Sequence, residues 1–181
     1  ERHGLTVAWV QENESFNYRR GTLRGLHFQN PPHAETKLVR VSRGAVLDVF
    51  VDLRKGSETY GQWDSVELSA ENCRLVYIPK GFAHGYCTLT EDAVVLYKVD
   101  EYYAPDFQGG LRWDDPAIGI SWPVSEPLLS PRDPGRAGHA AARRRVPGDR
   151  AAGAVRPAGM GRDPCQGGRM LPVGALRGRH R

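Results

Sequence analysis

Apolar and polar residues alternate in short runs along this chain as far as residue 133. The clearest run is Ala45–Asp52, where Ala45, Leu47, Val49 and Val51 fall on one side and Val46, Asp48, Phe50 and Asp52 on the other. Residues 38–41, 63–68, 74–78, 85–89 and 94–100 continue the series. Turn-forming residues separate them: Ser42-Arg43-Gly44, Arg54-Lys55-Gly56-Ser57, Ser69-Ala70-Glu71-Asn72 and Thr90-Glu91-Asp92. Only residues 114–118 have the makings of a helical turn. Many short strands at regular spacing predict an all-β sandwich or closed barrel with few short helices. A small barrel of this kind encloses one ligand.

Composition changes this picture at residue 133. Residues 134–181 hold 11 Arg, no Lys and two acids, Asp149 and Asp163, a net of +9. The whole chain carries +4, so residues 1–133 carry −5 with His neutral. The tail has 10 Gly, 5 Pro, 9 Ala and no Phe, Tyr or Trp. It has little to bury against its chain entropy, so we expect one domain over 1–133 and a disordered tail over 134–181. The basic pI belongs to that tail. Its arginines have no stacking aromatics beside them, so no nucleic-acid partner is expected. Cys73 and Cys87 lie in the domain and Cys165 in the tail with no CxxC pair, as expected of reduced thiols. No apolar run approaches the roughly 20 residues that span a bilayer, and no signal-like segment is present. A cytoplasmic protein without membrane contact is the expectation.

The candidate chemistry lies in two stretches, Arg24-Gly25-Leu26-His27-Phe28-Gln29 and Ile78-Pro79-Lys80-Gly81-Phe82-Ala83-His84-Gly85. On an uninterrupted strand Arg24 lies opposite His27, while His27 and Gln29 share a face. The second stretch is a turn that begins a strand and aims His84 inward. An imidazole titrates near pKa ~6.5 and is free to accept a proton at neutral pH. Two His-bearing strands in a β-rich chain imply a pocket with an acid–base centre. No GxGxxG or GxxxxGK loop is present to cradle phosphates, so a phosphate-bearing ligand would need cations such as Arg24.

Further stretches join these two: Lys37-Leu38-Val39-Arg40, Val51-Asp52-Leu53-Arg54, Gly61-Gln62-Trp63, Leu68-Ser69-Ala70-Glu71-Asn72, Tyr97-Lys98, Tyr102-Tyr103-Ala104-Pro105 and Trp113-Asp114-Asp115-Pro116-Ala117-Ile118. In that order, from about residue 10 to 133, they resemble the dTDP-4-dehydrorhamnose 3,5-epimerase family, a branch of the cupins. The resemblance implies a cupin jelly-roll barrel in a homodimer. The implied reaction is epimerisation of dTDP-4-keto-6-deoxyglucose at C3 and C5 in deoxysugar biosynthesis. Closer rivals are a C3-only epimerase and a sugar 3,4-ketoisomerase; more distant ones are a metal-dependent cupin dioxygenase and a non-catalytic nucleotide-sugar-binding cupin.

Both carbons lie alpha to the ketone, so the reaction needs a base on one face, an acid on the other and stabilisation of the enolate. No redox cofactor or metal is required, and none is expected. Iron-binding cupins use an H-x-H pair, a Glu and a later His, and here Gln29 stands in place of the second His. By resemblance His27 is the base, Asp133 its carboxylate partner, Tyr97 the proton donor and Lys37 the residue beside the developing enolate. Gln11, Glu12 and Asn13 match contacts to the thymidine end, and Arg24, His84 and Arg132 contacts to the diphosphate. Gln29 and Gln108 complete the expected substrate-binding set. Gln108 stands where relatives often carry an acid, and Arg132 where many carry lysine. Family members begin roughly 30 residues earlier, with a segment that swaps onto the partner subunit, and the 1–5 stretch resembles the middle of that segment. The tail resembles no family C-terminus.

Overall fold

A computed structural model describes residues 6–129 and 170–172. Eight strands form the body: β1 (Gln11–Asn17), β2 (Thr22–Gln29), β3 (Lys37–Arg43), β4 (Ala45–Asp52), β5 (Trp63–Ser69), β6 (Leu75–Ile78), β7 (Phe82–Thr88) and β8 (Ala93–Val99). Three short strands follow, β9 (Gln108–Gly110), β10 (Leu128–Leu129) and β11 (Met170–Pro172). They make two sheets, β1-β8-β3-β6-β11 and β10-β2-β7-β4-β5, with β9 added on β2. Antiparallel pairing is nested, β1 with β8, β2 with β7, β3 with β6 and β4 with β5. That nesting is the jelly roll expected from the sequence.

Three details differ from the expectation. β1 (QENESFN) is polar at every position but Phe16 and has no apolar alternation to predict it. Residues 114–118 make a turn closed by Ile118 N and Gly119 N on Asp115 O. Among the described residues the helical element is instead the 3-10 turn Pro105–Phe107. Most of 134–181 lies outside the described residues. Within it Met170–Pro172 pairs in parallel with Leu75, Val76 and Tyr77, lengthening the edge of the first sheet.

Apolar packing occupies both faces of the second sheet. Between the sheets lie Val39, Val41, Val46, Phe50, Leu68, Val76, Ile78, Phe82, Tyr86, Ala93 and Val95. On the outer face Leu26, Phe28, Val49, Val51, Leu53 and Ala83 are covered by Leu111 and Ile118, with Trp63, Ile120 and Trp122 alongside. The cleanly apolar side of Ala45–Asp52 therefore faces the outer layer, and its mixed side faces the barrel interior. Each fully buried Val or Leu contributes about 1.5–3 kcal/mol of transfer free energy.

Candidate active site

Two rungs of the second sheet line the interior. Arg24 pairs with Tyr86 and Tyr86 with Asp48; on the next rung His27 pairs with His84 and His84 with Phe50. Phe50 and Tyr86 belong to the inner core, so both rungs face the interior. Arg24 thus shares a face with His27, contrary to the uninterrupted-strand expectation. The cause is a β-bulge between Arg24 and His27, where Gly25 and Leu26 oppose the single Gly85. One extra residue restores the phase of the strand. Gly25 has φ 116°, and a Cβ there would meet Gly85 Cα at 2.6 Å. Glycine is required there by both conformation and contact.

The facing wall comes from the first sheet. Its rungs run Asn13–Tyr97–Val39 and Gln11–Val99–Lys37. Val39 is fully buried in the inner core and Tyr97 packs against that core, so this side faces the interior. His27 and Tyr97 accordingly stand on opposite walls. Burial pushes the Tyr97 phenol above its ordinary pKa, and the neighbouring Tyr86 and Glu35 add to the effect. Lys37 is buried, with Nζ 3.1 Å from Glu35 Oε1. Gln11 Nε2 donates to Asn13 Oδ1 at 2.6 Å, which holds the two amides together.

His84 and Asp48 form a buried pair, Nε2 to Oδ2 at 2.9 Å, and Asp48 Oδ1 has no protein partner. Arg24 Nε donates to Asn17 Oδ1 at 3.2 Å, and Asn17 Nδ2 donates to the Tyr86 hydroxyl. Tyr86 in turn donates to Ser15 Oγ at 2.8 Å. Burial raises the Tyr86 phenol despite these hydrogen bonds. Asp48, Asn17, Tyr86 and Glu35 were not among the residues expected at the site. The available signal was an acid, Asp48, on the side of β4 that also carries Val46 and Phe50.

Other expected residues are placed differently. Glu12 lies on the outer side of β1, exposed, with Lys98 Nζ at 3.9 Å; strand alternation separates it from Gln11 and Asn13. The Gln29 amide is occupied by protein: Nε2 donates to His33 O and Tyr102 O, and Oε1 accepts from Ala104 N. It fastens two loops at the end of the barrel. Gln108 pairs with Gln29 and accepts the Tyr103 hydroxyl at 3.1 Å, fixing that exposed ring. Arg132 and Asp133 lie outside the described residues. Among the described residues no three His, Cys, Asp or Glu side chains are grouped to hold a metal ion. No helix among them is long and apolar enough to cross a membrane.

The family model for dTDP-4-dehydrorhamnose 3,5-epimerase matches residues 1–139. The chain belongs to the dTDP-4-dehydrorhamnose 3,5-epimerase family. A dTDP-4-dehydrorhamnose 3,5-epimerase of Sinorhizobium fredii is 54% identical over 128 residues, covering 70% of this chain and 66% of that protein. The chain thus spans about two thirds of that relative's length. A crystal structure of the Bacillus anthracis dTDP-4-dehydrorhamnose 3,5-epimerase with TDP and PPi bound superposes with a TM-score of 0.73 at 50% identity. It covers 75% of this chain and 77% of that one. The Legionella pneumophila dTDP-6-deoxy-D-glucose-3,5-epimerase in complex with dTDP-4-keto-L-rhamnose gives 0.72 at 40% identity, covering 82% and 79%. These two relatives therefore share the jelly roll described above, one holding TDP and PPi and the other dTDP-4-keto-L-rhamnose.

Proposed function

We propose that this chain epimerises dTDP-4-keto-6-deoxyglucose at C3 and C5, with the chemistry held in residues 1–133. The observation that carries this is the placing of His27 and Tyr97 on facing sheets. An enolate is flat, and inversion needs a proton removed on one side and delivered on the other. His27 takes the proton alpha to the ketone, and the electron pair moves into the C–O bond. The Lys37 ammonium stabilises the enolate oxygen, the kind of contact that contributes most where water is excluded. Tyr97 then returns a proton to the opposite face of the carbon. Asp133, matched by resemblance, supports the imidazolium formed on His27.

Arg24 and His84, one rung apart on the same wall, suit the diphosphate, with Arg132 beyond them in sequence. Gln11 and Asn13 suit the thymine amide edges. Glu12, Gln29 and Gln108 contribute less directly, given their positions. A homodimer in the cytoplasm is part of the reading, and the exposed Val10 and Phe16 offer apolar surface to a second subunit. Sedimentation equilibrium would test that assembly.

The deciding experiment follows the C3 and C5 protons of the substrate by NMR in D₂O. Deuterium at both carbons is expected. Deuterium at C3 alone would reassign the chain as a 3-epimerase, and no exchange would remove the catalytic reading.

A further inference from the structure

Lys37 is not a free cation at the barrel wall. Its ammonium lies 3.1 Å from a carboxylate only two residues earlier in the chain, and both side chains are nearly out of solvent, at 11% and 14% exposure. Glu35 comes from the loop that leads into β3, and Thr36 between them is pinned by its N–H on Asp100 Oδ1 at 2.6 Å. The backbone on which the pair sits is thus fixed. An exposed ion pair contributes little, but a buried one fixes geometry because neither charge tolerates separation.

We propose that Glu35 is the positioning residue of this centre, holding the Lys37 ammonium in place on the wall that carries Tyr97. The inference deepens the proposed epimerase reading and rests on it. Lys37 unrestrained could swing its four-carbon stem among many rotamers; tied to Glu35 it meets the enolate oxygen already oriented. The second effect falls on Tyr97. On its own wall Glu35 lies in the loop before β3 and Lys37 opens that strand, and the facing sheet carries Tyr86, Arg24, His27, Asp48 and His84 on its inner side. Of these Glu35 and Tyr86 favour the neutral phenol, after burial itself. A proton donor must hold its proton until the carbanion forms, and a nearby carboxylate serves that end.

The test reads Tyr97 directly. Protein labelled with ¹³C at tyrosine Cζ is titrated by NMR, and Tyr97→Phe assigns the resonance. Glu35→Gln should move the Tyr97 titration to lower pH, and the alkaline limb of the C3 exchange profile should follow it. Lys37→Met should move the titration the other way, which keeps the test open if one variant folds poorly. Glu35→Gln should also lower kcat for C3 exchange with KM near wild type, since Lys37 is then no longer held; an unchanged kcat together with an unmoved Tyr97 titration would overturn the proposal even where wild-type exchange is normal. Shifted titrations in a protein that shows no exchange would instead remove the epimerase reading, and with it the catalytic role of Glu35, while leaving its contact with Lys37 intact.

Discussion

His84 and Asp48 illustrate how much one contact decides. The imidazole is buried, and its Nε2 is held by Asp48 at 2.9 Å, so the ring has one orientation and presents Nδ1 elsewhere. Asp48→Asn keeps the shape and weakens the grip. Hydrogen bonds to charged groups are worth about 1.5–3 kcal/mol, so dTDP should bind roughly ten- to a hundredfold more weakly. Isothermal titration calorimetry would measure this, and unchanged affinity would separate His84 from the nucleotide. The sequence made His27, Lys37 and His84 legible because each stands in a dense block of neighbours. Asp48 was not legible, because an acid in a strand alternating with valines reads as the solvated side. That rule inverts where protein groups take the place of solvent, His84 for Asp48 and Arg54, Ser57 and Thr59 for Asp52.

Strands show the same division. β4 was readable to the residue, because its near-continuous apolar run ends at turn residues on both sides, Gly44 and Arg54-Lys55-Gly56. β1 was not, because its inward Gln11, Asn13 and Ser15 are polar and so are its outward Glu12 and Glu14. The bulge in β2 could not be seen either, since it depends on which residues of β7 lie opposite. It makes a sharp prediction. Gly25→Ala places a methyl 2.6 Å from Gly85 Cα and 2.7 Å from His84 O at φ 116°. The strain should cost about 1–3 kcal/mol and should disturb Arg24 against His27, so thermal stability and exchange rate fall together.

The turn after β4 predicts an acid response. Asp52 is fully buried, and burial alone would raise its carboxyl. Hydrogen bonds from Arg54, Ser57 and Thr59 outweigh that and hold it below the ordinary carboxylate range. A carboxyl depressed in the folded state stabilises above its unfolded pKa of ~3.9, and that stability is lost as pH falls through the folded value. Asp52→Asn should cost about 1.5–3 kcal/mol at neutral pH, the worth of hydrogen bonds to a charged group, because the Arg54 left behind is partly exposed and can be solvated. It should also flatten the acid limb of stability measured by urea unfolding.

The whole molecule separates its two tasks by the faces of one sheet. On the inner face the second sheet carries Arg24, His27, His84 and Asp48; on the outer face it carries Leu26, Phe28, Val49 and Val51 beneath Leu111 and Ile118. Strand alternation assigns every other residue to each task, so damage to one layer need not reach the other. Leu111 is fully buried in the outer layer. Leu111→Ala should cost about 2–5 kcal/mol, lowering Tm while leaving substrate exchange near the wild-type rate at temperatures where the protein remains folded. His27→Ala should do the reverse, with Tm close to wild type and exchange reduced by at least the 10²–10⁴ expected of a positioned base. Calorimetry and the D₂O exchange assay on the two variants together check the separation. Loss of exchange in folded Leu111→Ala would mean that the outer layer sets the geometry of the inner one. The two faces would then have to be treated as a single coupled site.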